Sequence, residues 1–148
     1  MEKNRLIKVA TINEISDIMN IQAISNENLI SFENLKNDLN NKNSYYLIYY
    51  IDNNPIAFIG TSYIFSDMDL LYVLVIPNYR NMHIASDLLN EILSFCNKKN
   101  ISKILLEVRS KNINAINLYK KFSFIQIDIR KKYYKDDDAL IFKKDIIN

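Results

Sequence analysis

Apolar positions in the chain fall into two kinds of pattern, helical spacing of three and four residues and short β-branched or aromatic blocks, and their order predicts the fold. Leu6-Ile7-Lys8-Val9 is a short strand. From Thr11, residues Ile12, Ile15, Ile18, Met19 and Ala23 share one helical face, with Thr11 or Asn13 as the cap. A second helix is predicted over Ser31 to Leu39, capped by Ser31, with Phe32, Leu35 and Leu39 facing inward. Three strands follow at Tyr45 to Ile51, Ile56 to Phe65 and Leu70 to Ile76, the first two joined by the turn signal Asp52-Asn53-Asn54-Pro55. Pro77 stops the third, because it has no amide to give a ladder.

Ile84, Leu88, Leu89, Ile92, Phe95 and Cys96 then mark a long amphipathic helix that ends near Lys98-Lys99-Asn100, with positive charge at the negative end of its dipole. Ile104 to Val108 reads as a strand apolar on both faces, and the helix before it is the crossover that parallel neighbours need. A helix over Asn114 to Phe122 and strands at Phe124 to Ile129 and Leu140 to Phe142 complete an α/β order with a mixed sheet. No linker, charge block or repeat divides the 148 residues, so a single domain spanning 1–148 is expected.

Composition removes several function classes. Nineteen Lys and Arg against seventeen Asp and Glu leave a net charge of +2, too little to imply nucleic acid. One cysteine excludes an internal disulfide, and one histidine leaves no recognisable zinc site, so metal-free chemistry is expected. With no apolar stretch near the ~20 residues of a membrane span and no secretory segment behind Met1, a cytoplasmic protein is the expectation. Gly60 is the sole glycine.

Four constellations carry candidate chemistry. The connection from Val73-Leu74-Val75 into the long helix, Ile76 to Ser86, ends in unpaired helix amides that suit an anion, with Arg80 adding charge. Glu107 is a carboxylate inside an apolar strand, which needs either a wet cleft or an ion-pair partner such as Arg109 or a more distant Lys. Tyr119 shares a helix face with Ala115 and Phe122, and is either core packing or a phenol able to donate a proton. Tyr133-Tyr134 lies between Arg130-Lys131-Lys132 and Asp136-Asp137-Asp138, as in a hairpin connection. Cys96 is expected to be a core thiol.

Several segments in the same order resemble the GNAT superfamily of N-acetyltransferases, and within it the ribosomal-protein-alanine and protein N-terminal acetyltransferases. They are Val73 to Arg80, Leu106-Glu107-Val108-Arg109-Ser110-Lys111-Asn112, Ala115 to Tyr119, Phe124, and Arg130 to Tyr134 followed by Asp138-Ala139. The resemblance covers Leu70 to Phe142, about half the chain. It implies a largely antiparallel mixed sheet of about seven strands with helices on both faces, and direct acetyl transfer from acetyl-CoA to an amine without an acyl-enzyme.

Carried over residue by residue, the resemblance makes Arg80, Asn81, Met82, His83, Ile84, Ala85 and Ser86 the pyrophosphate loop and Val73, Leu74 and Val75 the strand edge for the pantetheine arm. It makes Asn112 a cofactor contact, Glu107 the general base, Tyr119 the acid that protonates the thiolate, and Tyr133 and Tyr134 the holders of the acceptor. His83 and Ser123 stand where the family pattern has glycine, so a left-handed backbone there would cost roughly 1–2 kcal/mol. The expected partner is a protein or peptide amino terminus, ribosomal proteins included, with no membrane and no direct nucleic-acid contact, and the chain acts as a monomer or weak dimer. Another acceptor amine, a non-catalytic acetyl-CoA sensor or scaffold, and last a small RNA-binding module are the alternatives.

Overall fold

The computed structural model describes residues 3–146. In chain order the elements are β1 (Arg5–Val9), a 3-10 turn (Ile12–Glu14), α1 (Ile15–Ile24), α2 (Phe32–Leu39), β2 (Ser44–Ile51), β3 (Asn54–Ile64), β4 (Asp67–Val75), a 3-10 turn (Pro77–Tyr79), α3 (Ile84–Lys98), β5 (Lys103–Arg109), α4 (Ile113–Lys121), β6 (Ile125–Tyr134) and β7 (Asp137–Asp145). The seven strands lie in the order β1-β2-β3-β4-β5-β7-β6. β4 and β5 run parallel, as the α3 crossover requires, whereas β1/β2, β2/β3, β5/β7 and β7/β6 are antiparallel. The mixed, largely antiparallel sheet is the one expected. The chain forms two compact units, the first from residues up to Tyr63 with Leu71–Ile92, the second from Ile64–Leu70 with residues from Leu93 onward.

In the first unit, Thr11 is the cap, and it begins a 3-10 turn instead of the α-helix. The Glu14 carboxylate accepts from the Thr11 amide at 2.7 Å and hydroxyl at 2.9 Å and pairs with Lys8 at 3.2 Å. Burial pushes this carboxyl up, but those three donors outweigh it and hold it below its ordinary value. The turn also corrects the predicted face. A 3-10 residue advances about 120° and an α residue about 100°, so the phase shifts: Ile18 and Ile21 are buried, Ile15 and Met19 are half-buried, while Ile12 and Ala23 are exposed.

Ser31 caps α2 through the Asn34 amide, as expected. Leu35, at the centre of its two turns, is fully buried; Leu39 is half-buried and Phe32, in the first turn, is exposed, contrary to the expected inward face. Between α1 and α2 the buried Gln22 takes over the backbone of the connection. Its Oε1 accepts from the amides of Leu29 and Ile30 at 2.8 and 2.9 Å, and its Nε2 donates to the Ile30 carbonyl.

Asp52 and Asn53 turn the β2–β3 hairpin with φ of 50° and 68°, the two left-handed residues of a type I′ turn. Gly60 is needed for space and not for its φ: a Cβ there would lie 2.5 Å from the ring of Tyr46. With the one glycine used for packing, left-handed positions fall to other residues, Asn26, Asn81 and Asn100 among them, whose short polar side chains tolerate that region. Among the described residues no helix is long and apolar enough to cross a membrane.

In the second unit, Leu106 lies opposite Phe142 and Val108 opposite Leu140, and all four are buried. The alternate residues of β5 are not: Leu105 is half-buried, and Glu107 and Arg109 are exposed. The strand predicted to be apolar on both faces is therefore fully covered on one only. Cys96 is the expected core thiol, with its Sγ 3.7 Å from the Met68 sulfur, and burial pushes its pKa up to about 11, which leaves it inert. The parallel β4/β5 ladder holds Asp67–Asp69 against Lys103–Leu105 and ends there, so Val73, Leu74 and Val75 lie beyond it.

Candidate active site

Pro77 ends β4 and opens a 3-10 turn that leads to the loop before α3. The Ile76 amide is tied to the Ile56 carbonyl, and the Arg80 Nε donates to the Val75 carbonyl at 3.2 Å. These two bonds bring the end of β4 and the start of the loop together. Beyond Arg80, Asn81 and His83 are both left-handed, with φ of 62° and 61°. Left-handed residues interleaved with residues of negative φ are the backbone alternation from which anion-binding nests are built. The first α3 bond runs from the Asp87 amide to the His83 carbonyl, so the amides of Ile84, Ala85 and Ser86 precede the intrahelical ladder at the positive end of a 15-residue helix. Val73 and Val75 are half-buried and Leu74 buried. A diphosphate-bearing ligand fits this donor set: free amides, a helix N-terminus and a guanidinium.

Both positions at which the family pattern has glycine carry the backbone that glycine would supply. His83 has φ 61°, and Ser123, which follows α4, has φ 67°. These non-glycine residues hold that backbone at the cost noted above for a side chain in this region. His83→Gly is accordingly expected to stabilise the fold by about 0.5–1 kcal/mol, the relief of the left-handed strain less the added entropy of an unfolded glycine. That is a rise of roughly 2–4 °C in Tm by calorimetry. A fall of the same size would show that the imidazole contributes packing which outweighs the strain.

In the second unit, Glu107 projects from β5 with its carboxylate 3.1 Å from an Arg130 guanidinium nitrogen on β6, the two side chains being 38% and 52% exposed. The ion-pair partner is thus neither Arg109 nor a Lys, as the sequence suggested: Arg109 turns to Asp136 at 2.8 Å and stacks over the Tyr134 ring at 4.1 Å. Arg130 in turn lies 5.4 Å from the Tyr133 ring centroid, and the two tyrosines meet edge to face at 5.3 Å. Glu107, Arg130, Tyr133, Tyr134 and Arg109 therefore form one group. Burial and then the Glu107 charge push the Tyr134 phenol above its usual value. Tyr133 and Tyr134 are the last two residues of β6 and not a loop, because the strand runs five residues past its predicted end at Ile129.

A hydrogen-bonded clamp that the sequence did not reveal holds the tip of the β6–β7 hairpin. Asp137, one of the three acids placed there beside a hairpin connection, is buried and accepts from the Ser110 hydroxyl and from the Lys111 amide at 2.9 Å. Those donors, the Ser110 hydroxyl first, hold its carboxyl below the ordinary range, so the clamp is in place at neutral pH and lost as acid protonates it. Asn112 caps α4, its side-chain oxygen accepting from the Ala115 amide at 3.2 Å, and so the residue expected at the cofactor has a structural use for that oxygen. Tyr119 is buried on α4 against Phe124, with ring centroids 5.6 Å apart. Burial raises its phenol to about 12, and among the described residues its hydroxyl has no hydrogen-bond partner.

Comparison with known proteins gives the class of the protein. The model of the acetyltransferase (GNAT) family matches residues 12–124, and the chain belongs to that family, as an N-acetyltransferase that draws on acetyl-CoA. The [ribosomal protein bS18]-alanine N-acetyltransferase of Haemophilus ducreyi is 34% identical over 103 residues, 68% of this chain and 71% of that one. The crystal structure of the ribosomal-protein-S18-alanine N-acetyltransferase from Escherichia coli superposes with a TM-score of 0.91 at 21% identity, covering 98% of this chain and 96% of the other. Arabidopsis thaliana NAA60 in complex with acetyl-CoA gives a TM-score of 0.86 at 17% identity, covering 97% and 99%.

Proposed function

We propose that the chain acts as one transferase domain that acetylates the α-amino group of a protein, a ribosomal protein included, in a cytoplasmic setting. The observation that carries the reading is Glu107: an exposed carboxylate on a strand whose other face is buried, with the Tyr133 ring beside its partner Arg130 and the Tyr134 ring packed on Tyr133. The ribosomal-protein-alanine N-acetyltransferases of Haemophilus ducreyi and Escherichia coli named above support it. The alternative of a non-catalytic subunit rested on the missing loop glycine, and His83 keeps the left-handed backbone that this glycine would supply.

Acetyl-CoA brings an acyl carbonyl with a thiolate leaving group. The residues suited to hold it are Arg80, the amides from Asn81 to Ser86, and the backbone of Val73, Leu74 and Val75. An α-ammonium with a pKa of about 7.7–8.0 is only about a tenth neutral at pH 7, so attack needs a proton acceptor. Glu107 takes that proton, directly or through a water, and Tyr119, which keeps its own proton throughout the neutral range, gives it to the departing sulfur. Tyr133 and Tyr134 hold the first residues of the acceptor, so that much of the acceleration comes from placement.

A peptide carrying both a free amino terminus and an internal Lys distinguishes the acceptors. Mass mapping after reaction with acetyl-CoA is expected to find the acetyl group on the α-nitrogen alone. Acetyl on the Lys ε-nitrogen, or on neither, would overturn the reading.

A further inference from the structure

We infer that one end of the second unit, the end away from Glu107, binds single-stranded RNA: lysines at the ends of α3, α4 and β7 take the phosphates, and the ring of Phe65 stacks on a base. This revises the expectation of no direct nucleic-acid contact, which weighed the total charge alone.

The net charge of +2 conceals an uneven spread. The second unit holds thirteen Lys and Arg against eight Asp and Glu, so the rest of the chain is net negative. Beside Glu107 and the β6–β7 hairpin the signs nearly cancel, with Arg109, Arg130 and Lys131 paired to Asp136, Glu107 and Asp138. At the other end Lys103 and Lys143 have Asp67 and Asp145, whereas Lys98, Lys99, Lys120, Lys121 and Lys144 have no carboxylate partner among the described residues.

The ladders bring these lysines to one end. Lys103 lies opposite Asp145, Ile104 opposite Lys144, and Ile125 opposite Lys143. α3 ends at Lys98, five residues before β5 begins at Lys103, and α4 ends at Lys121, four residues before β6 begins at Ile125. The turn into β4 closes on the same place, its Ser66 carbonyl accepting from the Ser102 amide at 2.7 Å and the Ser102 hydroxyl at 3.2 Å. Glu107 is four residues along β5 from Lys103, about 13 Å at about 3.3 Å per residue, so a polyanion held here leaves the base open to its acceptor.

Phe65, at the tip of that turn, is 94% exposed and left-handed at φ 54°, and Ile64 beside it is 66% exposed. A bulky side chain is an outlier in that backbone region, and no packing offsets its cost here. Positive charge in the last turn of a helix is an ordinary complement to the dipole, but Lys99 and Lys144 lie outside the helices, and the dipole gives no reason for an exposed Phe. Single-stranded nucleic acid uses both features: its flexible backbone can follow cations set on separate elements, and its bases stack on an aromatic face. RNA is the form that accompanies the acceptor proposed above, a ribosomal protein, and the choice of RNA rests on that reading. Held at this end, it would raise the concentration of that acceptor around Glu107.

The test is fluorescence anisotropy of a labelled oligouridine of about 20 nucleotides, titrated with the full chain from about 50 to about 300 mM salt. Binding is expected in the micromolar range, with log K falling against log salt at a slope of about −2 to −3.5, as three to five phosphate contacts at about 0.7 each would give. Lys120→Gln with Lys121→Gln should weaken it about tenfold at about 50 mM salt and flatten the slope by about 1.4. Phe65→Asn, which suits the left-handed backbone, should weaken it about fivefold or more and leave the slope unchanged. Lys131→Gln with Lys132→Gln, the same loss of charge at the hairpin, should change neither. No binding below about 0.1 mM protein at about 50 mM salt, or an equal loss in the hairpin variant, would overturn the inference. So would binding to vesicles of phosphatidylserine and phosphatidylcholine, lost in Phe65→Asn, by a chain that ignores the RNA. Neither acceptor nor acetyl-CoA enters the assay, so the transferase reading stands or falls separately.

Discussion

Glu107→Gln is expected to slow acetyl transfer to a peptide amino terminus by about 10²–10³-fold at pH 7, the range typical of losing a positioned general base. The amide keeps the size and hydrogen-bonding capacity of the side chain but cannot take a proton. Acetyl-CoA affinity should be unchanged, because the proposed diphosphate donors, Arg80 and the amides of Asn81 to Ser86, lie elsewhere in the chain. Stability should hardly move, since the pair with Arg130 is exposed and such pairs contribute about 0–1 kcal/mol. The deficit should also shrink as pH rises toward 9, where the amine is already largely neutral without help. A variant as fast as the parent, or a deficit that does not change with pH, would remove Glu107 from the proton-accepting role.

Tyr119→Phe is expected to lower turnover by about 10–10²-fold and to leave Tm almost unmoved. The reason for the second half is geometric. The ring is buried against Phe124, and that packing survives the change, while the hydroxyl has no hydrogen-bond partner to lose among the described residues. Burial raises its phenol to about 12, so the hydroxyl is protonated throughout the neutral range when the thiolate appears. If Tyr119→Phe turns over at the parental rate, the tyrosine is core packing and the leaving group is protonated by water.

What the sequence disclosed follows from how local each signal is. The α3 helix was legible because Ile84, Leu88, Leu89, Ile92 and Cys96 repeat at helical spacing over four turns, and all five are buried. Ser31 and the Asp52-Asn53 turn were legible because a cap and a tight turn are decided within a few residues. The face of α1 was misread, since nothing in the spacing announces a 3-10 start. The candidate positions came from motif spacing, and the partners of their charges were not legible there. Arg130 meets Glu107 only because β7 inserts between β5 and β6, and because β6 carries register shifts between Gln126 and Asp128 and again between Arg130 and Tyr134. Asp137 reaches Ser110 across 27 positions of sequence, and Gln22 holds a backbone seven and eight residues ahead, in a loop with no periodicity to read. Each of these is a tertiary choice among partners that sequence spacing leaves equivalent.

The anion cradle at the start of α3 is the claim on which the rest depends, and amide chemical shifts test it most directly. Titration of acetyl-CoA into the uniformly ¹⁵N-labelled protein is expected to move the amides of Asn81, Met82, His83, Ile84, Ala85 and Ser86 most, with Val73 and Val75 following. If those amides stay in place at saturating acetyl-CoA while others shift, the diphosphate sits elsewhere and the proposed site is wrong.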